Sequence, residues 1–152
     1  MPVFSISAEL NCSPSSLRAF VGRPLNLPRI SDPDMKLEIL RAPEFVTVGE
    51  EIEFRIMAYG FKQRATHIYT AADDMLIEER QLEGPLRQWK HRQEFQSTAS
   101  GLTLLTDIIE FEPPGGMLGF MMTENRITES LDEGFTTRYD LMKELIHKGV
   151  IQ

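Results

Sequence analysis

Leu86-Arg87-Gln88-Trp89-Lys90-His91-Arg92-Gln93-Glu94-Phe95-Gln96, then Ser97 to Gly101, then Leu102-Thr103-Leu104-Leu105-Thr106-Asp107-Ile108-Ile109-Glu110-Phe111-Glu112: this passage decides the fold. In the first run the odd positions Arg87, Trp89, His91, Gln93 and Phe95 stand against the even set Gln88, Lys90, Arg92, Glu94 and Gln96. That is the period of a strand with one buried face, and the odd face is the inward one. In the second run Leu105, Asp107, Ile109 and Phe111 share a face opposed by Leu104, Thr106, Ile108 and Glu110. The segment between them has turn composition, so the two runs form an antiparallel hairpin. A turn centred on Ala99 pairs Phe95 with Thr103, Gln93 with Leu105, His91 with Asp107 and Trp89 with Ile109, all on one face.

Working outward, the same alternation recurs upstream. Phe4, Ile6, Ala8 and Leu10 form a first strand. Ser13-Pro14 then caps a short helix carrying Leu17, Phe20 and Val21, stopped by Gly22 and Pro24. Pro24 to Pro33 reads as a turn-like or short helical cover. Further strands carry Met35, Leu37 and Ile39, then Ile52 to Ala58, then Ala65 to Ala71, and, after the Asp73-Asp74 turn, Met75 to Glu83. Downstream, Pro113-Pro114-Gly115-Gly116 ends the strands, and Ile127, Leu131, Phe135, Leu141, Met142, Leu145 and Ile146 carry a helical period to Gly149. The expected class is α+β: about seven strands in a curved antiparallel sheet wrapped around a long C-terminal helix, with short helices after the first strand. One domain is expected across residues 1–152.

Composition narrows the function. A net charge of -7, from 23 acidic against 16 basic residues, repels phosphate backbones and argues against a nucleic-acid partner. The lone cysteine, Cys12, excludes an internal disulfide and suits a reducing compartment, so a cytoplasmic protein is expected. Its surroundings offer nothing to lower a thiol pKa, which favours a structural role over a nucleophilic one. The N-terminal residues lack a signal-peptide pattern, and no apolar run reaches the ~18 residues of a membrane span. His67, His91 and His147 lie far apart with one thiol among them, so neither a metal nor another cofactor is expected. Oligomeric state is not legible.

The sharpest constellation is His91 with Asp107. A carboxylate beside the imidazole raises its pKa and fixes its ring, which suits acid and base work on a ligand. The plainer reading is a polar pair that satisfies itself inside an apolar face, with Arg138 of the helix near the same stripe. Trp89 and Phe95 read either as core or as a chamber wall, and His67 with Tyr69 supplies polar tips on a neighbouring inward face. Met117, Met121 and Met122, beside Gly115, Gly116 and Gly119, read as a soft portal or as flexible packing.

The string Gly84-Pro85-Leu86-Arg87-Gln88-Trp89-Lys90-His91-Arg92-Gln93-Glu94-Phe95, followed by Gly101-Leu102-Thr103, Asp107 and Pro113 to Gly119, resembles the SRPBCC or START-like superfamily, which includes polyketide cyclases, dehydrases and lipid transporters. The similarity extends over roughly residues 4 to 147 and is greatest to bacterial ligand-binding members with a Gly-Pro, Trp-x-His-x-His-x-x-Phe and Thr-x-x-x-Asp pattern. It implies the helix-grip fold, with a cavity between sheet and long helix that members use for lipids, hydrophobic hormones, polyketides or quinones. Gln93 stands where such members often carry a second histidine, which counts against a two-histidine mechanism.

Binding or carriage of a small, largely apolar molecule is therefore the first expectation. Trp89, Phe95, Ile109 and Phe111 would line the chamber, His91 and Asp107 would orient a polar group, and Gln93, His67, Tyr69, Phe135 and Arg138 would complete the contacts. A cyclase- or dehydratase-like enzyme using His91 and Asp107 is the alternative, as is a protein-interaction module whose cavity has collapsed.

Overall fold

The computed structural model describes residues 1–152. Seven strands, β1 (Val3–Leu10), β2 (Glu38–Arg41), β3 (Glu51–Ala58), β4 (Phe61–Asp73), β5 (Leu76–Glu83), β6 (Gln88–Ser97) and β7 (Thr103–Glu112), form one antiparallel sheet. Their order is β1-β7-β6-β5-β4-β3-β2, a continuous meander in which the first strand returns to flank the last. Helix α1 (Pro14–Val21) and two 3-10 turns, Pro24–Ile30 and Pro33–Met35, follow β1. Helices α2 (Gly116–Met121) and α3 (Glu124–His147) follow β7.

The main helices begin and end for local reasons. The Ser13 hydroxyl accepts the Ser16 N–H at 3.2 Å and Pro14 occupies the first helical position of α1. The Thr123 hydroxyl accepts the Arg126 N–H at 3.3 Å to start α3. Gly149, at φ 79°, ends it: its N–H reaches the Ile146 carbonyl at 3.0 Å, and that of Val150 reaches Leu145 at 2.9 Å. That pair of bonds satisfies carbonyls the last turn leaves open.

The expected strand through Met35, Leu37 and Ile39 is shorter than the alternation suggests. Asp32 Oδ1 accepts the Asp34 N–H at 2.9 Å, Pro33–Met35 turns as a 3-10 segment, and Lys36 takes a left-handed φ of 48°. Pairing therefore begins only at Glu38.

The β6–β7 register also departs from expectation. His91 stands opposite Ile109, not Asp107; Asp107 is opposite Gln93, Leu105 opposite Phe95, Phe111 opposite Trp89, and Thr103 opposite Ser97. Glycine chemistry is the cause. Thr98 N–H bonds the Leu102 carbonyl at 2.9 Å, closing a loop of Ala99, Ser100 and Gly101, and Gly101 sits at φ 79°. In such three-residue hairpin loops the left-handed residue comes last, which centres the turn on Ser100. Every partner moves by two residues, an even shift, so the inward face is preserved.

The solid core fills one end of this architecture. Helix α1 packs on β6 and β7 and α3 crosses β1, enclosing Leu17, Phe95, Leu105, Ile109, Phe111 and Met142, all 0% exposed. Each such side chain contributes about 1.5–3 kcal/mol by leaving water. Towards β2–β5 the sheet and the first half of α3 part company, and space remains.

Candidate functional site

Four neighbouring strands each place one histidine or carboxylate on the inward face: His67 from β4, Glu79 from β5, His91 from β6 and Asp107 from β7. Glu79 stands directly opposite both Tyr69 and His91, while His67 and Asp107 lie on diagonals. They join into one chain of contacts. His67 Nδ1 is 3.2 Å from Glu79 Oε2, and Glu79 Oε1 is 3.6 Å from His91 Nδ1. His91 Nε2 is 2.7 Å from Asp107 Oδ1. Tyr139 of α3 closes the chain by donating its hydroxyl to Asp107 Oδ2 at 2.6 Å, with the Ile6 carbonyl 3.3 Å away.

Burial raises the stakes of these contacts. Asp107 is 0% exposed and His91 5%. Burial pushes the His91 imidazole down, but hydrogen bonds and charges from Asp107 and Glu79 outweigh it, and its pKa is raised. Burial likewise pushes Glu79 up, yet His67 and His91 together hold it well below the usual carboxylate range. Burial and the Asp107 carboxylate push the Tyr139 phenol up, so it stays a donor. Burial with the charge of Glu79 does the same to Tyr69. The histidines and carboxylates are thus arranged in a row of pairs; no three or more converge to hold a metal ion. Cys12 is buried against Thr103, and that burial raises its thiol pKa, the opposite of what a nucleophile requires.

Two cavities adjoin this row. The larger, of about 440 Å³, lies between the sheet and α3 with a mainly apolar wall that includes Ile52, Phe54, Ile56, Trp89, Leu131 and Phe135. Its polar side is formed by His67, Glu79, Gln81, His91 and Arg138. The smaller, of about 40 Å³, is shared by Tyr69, Glu79, His91, Gln93 and Arg138 and is of a size for ordered water. Gln93 Oε1 is buried there without a hydrogen-bond partner in the protein.

The expected site residues divide accordingly. Trp89, His91, His67, Phe135 and Arg138 line the larger cavity, and Tyr69 and Gln93 line the smaller. Asp107 lies behind His91 and reaches neither cavity, although the two side chains do bond. Phe95, Ile109 and Phe111 share the inward face but belong to the solid core, outside both cavities. Of the three methionines, Met122 is buried and lines the chamber, whereas Met117, 85% exposed, and Met121 project from α2 into solvent.

Glu79 and Tyr139 escape the sequence reading. Both leave a signal: Glu79 alternates with Ile77 and Gln81 along β5, and Tyr139 lies four residues after Phe135 and three before Met142 on the buried stripe of α3.

No helix is long and apolar enough to cross a membrane. No protein-family model matches the chain, and no curated protein matches its sequence. Solved structures do match it. It is similar to TTHA0849 from Thermus thermophilus, at TM-score 0.72 and 14% identity, over 97% of this chain and 99% of that one. It is similar to protein CV1439 from Chromobacterium violaceum, at TM-score 0.74 and 14% identity, over 94% and 95%. Ginseng major latex-like protein 151 from Panax ginseng matches at TM-score 0.69 and 15% identity, again over 94% and 95%. At these identities the likeness is one of architecture: the chain has the helix-grip fold that its START-like resemblance implies.

Proposed function

We propose that the protein binds or carries a small, largely apolar molecule in the chamber between the sheet and α3. The observation that carries this reading is the chamber itself. Its volume of about 440 Å³ falls within the ~300–1,000 Å³ of small-molecule sites, and its apolar walls meet a compact polar row on one side. A pure interaction module with a collapsed interior would have filled this space with side chains.

A second reading, proton transfer of the cyclase or dehydratase kind, draws support from His91, which faces the chamber between two carboxylates. It ranks second because both ring nitrogens are directed at those carboxylates, so a substrate has to displace Glu79 before it reaches the imidazole. Turnover unchanged by His91→Gln would remove that reading.

Trp89 is the sole tryptophan and stands on the chamber wall, which makes ligand entry directly observable. Titration with N-phenyl-1-naphthylamine, a neutral probe dark in water, is expected to give saturable emission at one site per chain, with matching loss of Trp89 fluorescence. A linear, unsaturable response with Trp89 emission unaltered would overturn the proposal.

A further inference from the structure

Arg138 is the only arginine or lysine on the wall of either cavity, and it lines both. Its guanidinium carbon lies 5.4 Å from the centre of the Phe135 ring, and it forms neither a salt bridge nor a hydrogen bond. The other charged groups of the large chamber do not answer it. Glu79 is engaged by His67 and His91, and Asp34 and Glu133 are exposed at the rim, with Asp32 beside them half-buried. A cation thus stands on the polar side of the chamber within cation–π range of the Phe135 ring, its five N–H donors left without acceptors in the protein.

We infer that the ligand of this chamber carries a carboxylate at one end of its apolar body, and that Arg138 receives that group. The inference rests on the ligand-binding reading above and assigns the chemical class of the ligand. An apolar molecule entering the chamber displaces the water that solvates Arg138. A neutral ligand leaves the guanidinium desolvated and unpaired, which is costly; a carboxylate replaces the lost solvation with two parallel charge-assisted hydrogen bonds. With one cation on the wall that lacks a carboxylate partner, a monoanion is matched and a phosphate dianion is not. The planar fork also sets orientation: the acid lies beside Arg138 and His91, and the apolar body runs along Trp89 and Phe54 towards Ile56.

Calorimetric titration of the whole protein with two matched pairs tests this: decanoate against decan-1-ol, and naphthalene-2-carboxylate against naphthalene-2-methanol. The pairs separate an aliphatic from an aromatic body while holding the acid in common. The wild type is expected to favour the acid of at least one pair by about tenfold or more, as a hydrogen bond to a charged group implies. Arg138→Met should abolish that preference by weakening the acid alone, with the alcohol within about twofold and the melting temperature retained; Arg138→Lys should restore part of it. Equal affinity for acid and alcohol in the wild type overturns the carboxylate assignment and leaves the chamber reading standing, as does equal weakening of both by Arg138→Met. Absence of binding by all four compounds overturns both.

Discussion

Asp107→Asn lowers the stability of this protein by about 3–5 kcal/mol, the usual cost of removing one partner from a buried ion pair. The carboxylate is 0% exposed and bonded on both oxygens, to His91 at 2.7 Å and to Tyr139 at 2.6 Å. An amide of the same shape retains one acceptor for two donors and leaves the imidazolium without its closest counter-charge. For a chain of this length the melting temperature falls by roughly 10 °C or more. The loss depends on pH with a sign fixed by His91. Its pKa is raised on folding from 6.5, so the stabilisation it provides is complete below 6.5 and disappears as pH rises through the folded value. Glu79 is depressed from 4.5, so its contribution is present above 4.5 and is lost only as pH falls towards its low folded value. Glu79 is retained in both proteins, so the excess of the wild type over Asp107→Asn follows His91: it is full just below pH 6.5 and narrows in alkali. Urea unfolding followed by Trp89 emission at about pH 5.5, 7 and 9 measures it. A difference under about 1 kcal/mol with no pH dependence would show that the His91–Asp107 bond does not exist in solution.

Gly134→Phe weakens probe binding at least about tenfold without unfolding the protein. Gly134 interrupts α3 in its interior, where glycine costs about 1 kcal/mol relative to alanine. It lines the chamber, and a Cβ added there meets no atom within 4 Å. The helix thus accepts a less favourable residue at the position where a side chain would enter the cavity. Gly134→Ala is expected to stabilise the protein by about 0.5–1 kcal/mol and leave N-phenyl-1-naphthylamine bound. Phenylalanine projects into the space the probe would occupy, so the probe loses at least about tenfold in affinity while the melting temperature holds or rises. A Gly134→Phe variant that binds the probe as the wild type does would place the binding site elsewhere.

Much of this architecture is legible in local chemistry. Alternation identifies the inward face of β6, hairpin pairing carries that face to β7, and prolines, hydroxyl caps and Gly149 mark where helices start and stop. The His91–Asp107 bond follows from parity alone, since an even shift of register keeps both residues inward and long side chains meet on the diagonal. Glu79 is harder to foresee because its partners belong to different strands. The β4–β5 pairing shifts between Thr66 and His67 and again between Tyr69 and Ala71, and those irregularities place Glu79 opposite Tyr69, diagonal to His67. Tyr139 lies on a readable helical stripe, but its bond to Asp107 depends on how α3 crosses β1 and β7.

Face, period and termini are properties of a few consecutive residues, and the sequence alone determined them here: the seven strands, the long final helix and the inward row that holds His91 with Trp89. Whether an inward residue becomes core or chamber wall was decided only by the tertiary structure. Phe95 and Trp89 share one strand and one face, yet Phe95 is 0% exposed in the solid core and Trp89 borders open space. The difference lies in what covers them: α1 presses on the end of the sheet that carries Phe95, while α3 spans the other end without filling it. Covering a strand face takes partners distant in the chain, and no local pattern records the gap they leave.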